Sequence, residues 1–312
     1  MAYRFKPGRS LAADVRRIAD RQLSLAIGEL RSAGDHRSDA VVHEARRHIK
    51  KARALIRLVH TALGDAYVAS NRRLRVANRM LGAIADGEAM VDTLVRLGQK
   101  YRDRLPRRTV AALRAGLLDR ERRIGRKAML ERLLPRVASL LRREQQPITL
   151  WTLNTTGFRA VARGLERTVR RARRAARRAE REPTIEHYHA WRRRAKDLWL
   201  QVRLLEGRCR DKLLPDERRL EALDGFLGEY HNVVLLERLL VDEALASRED
   251  TARCLRMLRR YQGELRYRAI TIGRAIAEEK PRHFVARARR HWQAAKQTTA
   301  AAATRRRWHR AA

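Results

Sequence analysis

Val42-His43-Glu44-Ala45-Arg46-Arg47-His48-Ile49-Lys50 and Tyr188-His189-Ala190-Trp191-Arg192-Arg193-Arg194-Ala195-Lys196 carry one pattern of histidine and cations twice. The copies stand 146 positions apart, and the register holds without a gap from His43 to Asp86. It places Arg57 on Arg203, Arg72-Arg73-Leu74 on Arg218-Arg219-Leu220, Leu81-Gly82 on Leu227-Gly228 and Asp86 on Asn232. The chain reads as a duplication, and the duplicated unit is a helix with a basic stripe.

Helical spacing makes that stripe concrete. At about 100° per residue, His43, Arg46, Lys50, Arg53 and Arg57 fall within roughly 80° of arc, and Ala45, Ile49, Ala52, Ile56 and Val59 occupy the opposite side. In the second copy His189, Arg192, Lys196 and Arg203 repeat the basic face, while Ala195, Leu198, Val202 and Leu205 repeat the apolar one. Trp199 stands where the fourth cation would be, placed for cation–π contact with an arginine. Arg47 and Arg193 flank the two stripes. A solvated basic face interleaves acids at i±4 to relieve repulsion, yet no acid occurs between Ala45 and Ala62. A counter-charge from outside is expected. In the helix before the second copy, Arg163, Arg167, Arg170, Arg174, Arg177 and Arg181 form a third row, backed by Leu165, Val169, Ala172, Ala176 and Ala179. The small backing residues permit close helix approach, so this row is expected beside the His189 stripe. Arg16, Arg17 and Arg21 occupy the corresponding helix of the first half.

The composition agrees with an anionic partner. The net charge is +38 over 312 residues, with nine lysines against sixty-four arginines. Such an excess repels itself and calls for a polyanion or an anionic surface, and the guanidinium fork suits phosphate oxygens. GC-rich coding accounts for part of the arginine preference but not for the net charge. Hydrophobic residues make up 44% of the chain, enough for a core. Gly and Pro are sparse, and apolar residues recur at three and four, so the fold class is all-α. Helices are expected over 11–33, 38–63, 67–98, at least two more before 146, then 151–181, 184–207, 215–247, 251–279 and 281–298. Pro106, Pro135, Pro147, Pro183, Pro215 and Pro281 are read as helix boundaries, with 135–149 as the junction between repeats of about 1–146 and 147–298. Long helices on short loops make antiparallel bundles. The expected architecture is two pseudo-symmetric four-helix-type bundles forming a single domain, with a basic pore or groove between them. The Ala/Arg-rich tail, 299–312, carries no core pattern and is expected to be disordered.

Several chemistries are disfavoured. Cys209 and Cys254 have neither disulfide-framework nor metal-ligand spacing. His43 and His189 lack a second ligand on their own faces; His187 lies on a different side. Arg47-His48 resembles the catalytic start of histidine phosphatases, but that chemistry wants a glycine after a strand, and Ile49 follows within a helix. There is no Gly-rich phosphate loop, no Glu-x-Glu-x-Lys triphosphatase signature and no recognisable Ser/His/Asp arrangement. A non-enzyme without cofactor or metal is expected. No signal-peptide core or apolar run of about 18 residues occurs, so no transmembrane segment and a cytoplasmic location are expected.

The pattern His43, Arg46, Lys50, Lys51, Arg53 resembles that of the CHAD family, the conserved-histidine α-helical domain. His189-Ala-Trp-Arg-Arg-Arg-Ala-Lys-Asp-Leu-Trp is similar to that family's C-terminal motif. Leu227-Gly228-Glu229-Tyr230-His231-Asn232 resembles its Leu-Gly-x-x-His-Asp segment, with Asn where Asp is usual. In the first half Ala85-Asp86 stands where the family tends to have Arg-Asp. The resemblance covers the chain to about residue 298. It implies two similar helical bundles with a basic pore or groove that binds inorganic polyphosphate, in a stand-alone module that could sit on polyphosphate granules. On that reading His43, Arg46, Arg47, Lys50, Arg53, Arg57, Arg163, Arg167, Arg170, Arg174, His189, Arg192, Arg193, Lys196 and Arg203 contact phosphate. The alternative is a nucleoid-associated protein contacting nucleic-acid backbone, including through Arg305-Arg306-Arg307-Trp308-His309-Arg310. Aromatics are 5% of residues and do not interleave with the stripes, which disfavours base stacking.

Overall fold

A computed structural model describes residues 3–32, 38–82, 87–123 and 126–311, with no side chain described at 38, 39, 87, 88, 126–128, 296 or from 298 onward. The described residues form helices and connections, with no strand. The helices are α1 (Leu11–Arg31), α2 (Ser38–Leu58), α3 (His60–Leu63), α4 (Asp65–Gly82), α5 (Gly87–Lys100), α6 (Arg107–Arg123), α7 (Arg126–Gln145), a 3-10 turn (Gln146–Leu150), α8 (Arg159–Arg181), α9 (Ile185–Cys209), α10 (Leu214–Asp242), α11 (Arg248–Glu278) and α12 (Pro281–Ala311). Side-chain caps fix several starts: the Ser10 hydroxyl accepts from the Ala13 N–H, Thr184 from His187 and Ser247 from Asp250, each satisfying an amide the helix leaves unpaired.

Two sets of four helices close on themselves. α1 packs on α2, α2 on α4, α4 on α7 and α7 back on α1; likewise α8 packs on α9, α9 on α10, α10 on α11 and α11 on α8. α2 meets α8 and α9 between the sets, and α12 lies across α8 and α9. The α5–α6 pair leaves the first half of the chain and packs on α10 and α11. Arg96 pairs with Glu229 at 3.0 Å, Thr109 donates to Asp250 at 2.6 Å and Arg120 donates to Glu243 at 2.7 Å. The cores divide accordingly. One gathers α1, α2, α4, α7 and α12 with the start of α8 and the end of α9; the other gathers α5, α6, α10 and α11 with the end of α8 and the start of α9.

The apolar stripes read from the sequence are the buried ones. Ala45, Ile49, Ala52, Ile56 and Val59 on α2, Ala195, Leu198, Val202 and Leu205 on α9, and Leu165, Val169, Ala172, Ala176 and Ala179 on α8 are all buried. Close approach between the halves depends on Gly164, where an added Cβ would lie 1.9 Å from the Leu58 carbonyl oxygen.

Several boundaries differ from the sequence reading, among them the helix expected over 38–63, which breaks at Val59 into α2 and α3. Pro135 lies inside α7 rather than at a junction; a proline removes one amide donor and clashes locally, and this helix absorbs it in place. The connection between halves is the 3-10 turn with the segment up to Phe158, because Gly157 takes φ +60° and delays α8 to Arg159. The single helix expected over 67–98 is α4 and α5, with Asp86 outside the described residues. The backbone of 299–311 continues α12, which suits its alanine content; its side chains, Arg305 among them, lie outside the described residues.

Candidate functional site

α2 and α9 bring the two copies of the motif together. The basic face of α2 meets α4 and that of α9 meets α10, and the charges that shift Lys50, His43, His189 and His231 all belong to α2, α9 and α10. Burial, followed by the positive charges of Arg46, Arg192 and Lys196, pushes the Lys50 ammonium down to about 7. His43 is lowered by desolvation and then by Lys50 and, across the halves, Lys196. His189 is lowered by desolvation and by Arg193, Arg192 and Lys50. Burial and the charge of Arg47 bring Lys51 down to about 8. Arg46, Arg192 and Lys196 thus concentrate positive charge on the buried Lys50.

The two arginines at the centre are seated alike. The space a Cβ would fill at Gly82 is 3.5 Å from the Arg46 guanidinium, and that at Gly228 is 3.6 Å from the Arg192 guanidinium. These are equivalent positions under the 146-residue offset, so the Leu-Gly pair of each repeat forms a side-chain-free shelf for its arginine. Arg46 also donates to the Leu81 carbonyl at 3.5 Å.

The copies then diverge. Lys196 donates to Asp224 at 2.6 Å and stands 5.3 Å from the Trp199 ring. The position equivalent to Asp224 is Asn78, whose side-chain oxygen is buried without a hydrogen-bond partner. The first copy therefore carries an amide where the second carries the carboxylate that pairs with Lys196, and Asp224 is also the acid whose charge reaches Lys50. His189 lies beside His231, with Nδ1 atoms 3.4 Å apart; burial and the surrounding cations push His231 down to about 3, so this pair is neutral near pH 7. His48, in the motif but on the buried side, donates from Nδ1 to Gln22 Oε1 at 2.9 Å and is held at about 4, chiefly by burial.

The ends of the stripes have other work. Arg57 pairs with Asp197 across the halves at 2.7 Å. Arg203 pairs with the buried Glu217 at 3.6 Å and lies 5.8 Å from the Trp199 ring, the cation–π placement expected there. Arg53 donates to Asn71 at 3.5 Å and is lowered to about 10, chiefly by burial. Arg47 pairs with Glu44, and Arg193 is exposed. Arg57 thus ties the two halves together and Arg203 ties α9 to α10, so neither presents a bare cation, a consequence of acids that approach from other helices. The α8 row does not join the cluster: Arg167 meets Arg57, Arg171, Arg194 and Asp197 around one small pocket, while Arg163, Arg170 and Arg174 face solvent, Arg170 paired with Glu166. Arg163, Arg170 and Arg174 lie on the opposite side of α8 from its packed alanines, and only Arg167 of the row reaches residues of α9.

Sequence reasoning missed Asp224 and the unequal pairing of the two lysines, although the offset already aligns Asn78 with Asp224. It also missed the His189–His231 contact, although His231 stands in the quoted Leu-Gly segment. Among the described residues no group of His, Cys, Asp and Glu is arranged to hold a metal ion. No described helix is long and apolar enough to cross a membrane, and both cysteines are buried free thiols.

The family model for the CHAD domain matches residues 17–241, a span that contains both motifs, both Leu-Gly shelves and the Lys196–Asp224 pair. The chain belongs to the CHAD-domain family. Its fold is also that of the crystal structure of the CHAD domain from the plant Ricinus communis, with a TM-score of 0.58 at 15% identity, covering 94% of this chain and 95% of that one. Curated protein sequences gave no match.

Proposed function

We propose that the α2–α9 face of this CHAD domain binds inorganic polyphosphate without catalysing its turnover. The observation that carries this reading is the convergence of Arg46, Arg192 and Lys196 on the buried Lys50: burial and then these charges bring its ammonium to about 7. A linear polyanion suits such a row: its charges are closely spaced, it needs no base recognition, and each charge-assisted contact contributes about 1.5–3 kcal/mol. The two helix sets are pseudo-symmetric bundles in this account, with the cluster in the groove between them and the chain passing from the Arg46 shelf to the Arg192 shelf. The neutral histidines donate hydrogen bonds to phosphate oxygens or hold the arginines in place. Such a module could carry the protein to polyphosphate granules.

The exposed row on α8 favours a second reading, backbone contact with duplex nucleic acid. The salt dependence of binding long-chain polyphosphate tests the first. Changing Arg46 and Arg192 together to Ala should weaken binding by about 100-fold and lower the slope of log affinity against log salt, because fewer counterions are released. An unchanged slope and affinity would move the binding to other arginines.

A further inference from the structure

A second basic cleft lies at the far end of the molecule, where the starts of α1 and α8 meet α9 and α12. It encloses about 630 Å³ and is lined by Arg9, Arg159, Arg208 and Arg289, with the buried rings of Phe158 and Trp292 among its walls. No carboxylate lines it. Arg208, near the end of α9, is about 18 Å along the helix from Lys196 and about 24 Å from Arg192 at 1.5 Å per residue, so this cleft is separate from the α2–α9 cluster.

Two of its four guanidinium groups, those of Arg208 and Arg289, are held in place. Arg208 lies over the Trp292 ring at 4.9 Å and donates to Asp14 at 3.0 Å and to the Arg9 carbonyl at 2.6 Å. Arg289 lies over the Phe158 ring at 5.7 Å, and the two rings meet edge to face at 5.6 Å. Stacked arginines lose little freedom when they bind an anion. Among the described residues no carboxylate pairs with Arg9, Arg159 or Arg289, so three positive charges border the cleft, while Asp14, behind its lining, is already divided between Arg17 and Arg208. The start of α8 adds to the same field: it has no side-chain cap and no acid in its first turn, and the space over Gly157 is open. Its amide dipoles favour negative charge there.

We infer that this cleft is a separate site for a compact anion bearing a diphosphate group, free or as the terminal diphosphate of a nucleotide. Three uncompensated arginines match a diphosphate, which carries about three negative charges near neutral pH, and the volume is in the range of small-ligand pockets. The inference does not depend on the α2–α9 reading. Titration calorimetry of the full chain at about 150 mM salt, with pyrophosphate and with ADP, tests it. Arg159 and Arg289 are exposed, so the double change R159A/R289A should keep the melting temperature while weakening pyrophosphate by about 100-fold, two charge-assisted contacts' worth. The same titration on a variant with Arg46, Lys50, Arg192 and Lys196 changed to Ala should be unaffected. ADP matching pyrophosphate assigns the site to a nucleotide's terminal diphosphate; pyrophosphate binding alone assigns it to the free anion. Absence of binding by both, or affinity that survives R159A/R289A and falls in the quadruple variant, would overturn the inference.

Discussion

Polyphosphate affinity should fall steeply with pH, and Lys50 should be the reason. Burial and the charges of Arg46, Arg192 and Lys196 hold its ammonium at about 7 in the ligand-free protein, and a phosphate chain against it would keep it protonated. If the chain binds only the protonated form, linkage makes the dissociation constant rise by a factor of about 1.1 at pH 6, about 2 at pH 7 and about 100 at pH 9. The last factor corresponds to about 2.7 kcal/mol. Lys51, brought down to about 8, adds a smaller loss toward the alkaline end. His43 and His189 are lowered and His231 sits at about 3, so their protonation belongs to the acid side of this range. Lys50→Arg supplies a cation that stays charged throughout and should flatten the profile to about the tenfold left by Lys51. The assay is fluorescence anisotropy of end-labelled long-chain polyphosphate at constant ionic strength, from about pH 6 to about pH 9, across the shifted lysine values. A wild type and Lys50→Arg that decline in parallel, or a flat wild-type profile, would refute the reasoning. Folding has the reverse sign. The unfolded chain keeps the Lys50 proton up to its ordinary value of 10.5, so the unfolded state binds more protons between about 7 and that value. The Lys50 contribution to ligand-free stability therefore rises with pH across the window in which affinity falls.

The unequal lysines give a reciprocal pair of changes: Asp224→Asn should free Lys196 and tighten polyphosphate by about tenfold, and Asn78→Asp should weaken it by about as much, both read by calorimetry at fixed salt. Gly164→Ala should cost about 3 kcal/mol or more in urea unfolding, because the new methyl meets the Leu58 carbonyl of the facing chain and the backbone must move. Arg57→Ala should lower unfolding free energy by about 1–3 kcal/mol by leaving Asp197 without its partner, while polyphosphate affinity stays within about twofold.

What the sequence made legible was what is local to one helix. The period of Ala45, Ile49, Ala52 and Ile56 fixes which side of α2 is buried, and the repeat offset pairs α2 with α9 before any contact is known. The core positions of α8 follow for the same reason. Contacts between helices were less accessible. Arg57 is on the basic stripe by angle, yet Asp197 of α9 reaches it, because the two helices cross where the stripe ends. The α8 row shares its helix with the core alanines, but apart from Arg167 it faces solvent, and angular position alone does not say which neighbour a face meets. The passage of α5 and α6 onto α10 and α11 has no signature in hydrophobic period. Gly157 and Pro135 show the limits of punctuation: one glycine delays a helix and one proline fails to end one.

The central claim is that the paired α2–α9 motifs select polyphosphate over other polyanions. Competition tests it most directly: labelled long-chain polyphosphate on the protein at about 150 mM salt, challenged with duplex DNA at equal phosphate concentration, for wild type and for the variant with Arg46, Lys50, Arg192 and Lys196 all changed to Ala. The account predicts that wild type retains polyphosphate against DNA and that the variant loses it. Even competition by DNA, with the variant binding as wild type does, would contradict it and leave the arginines of α8 and the rest of the surface as a diffuse coat for nucleic acid.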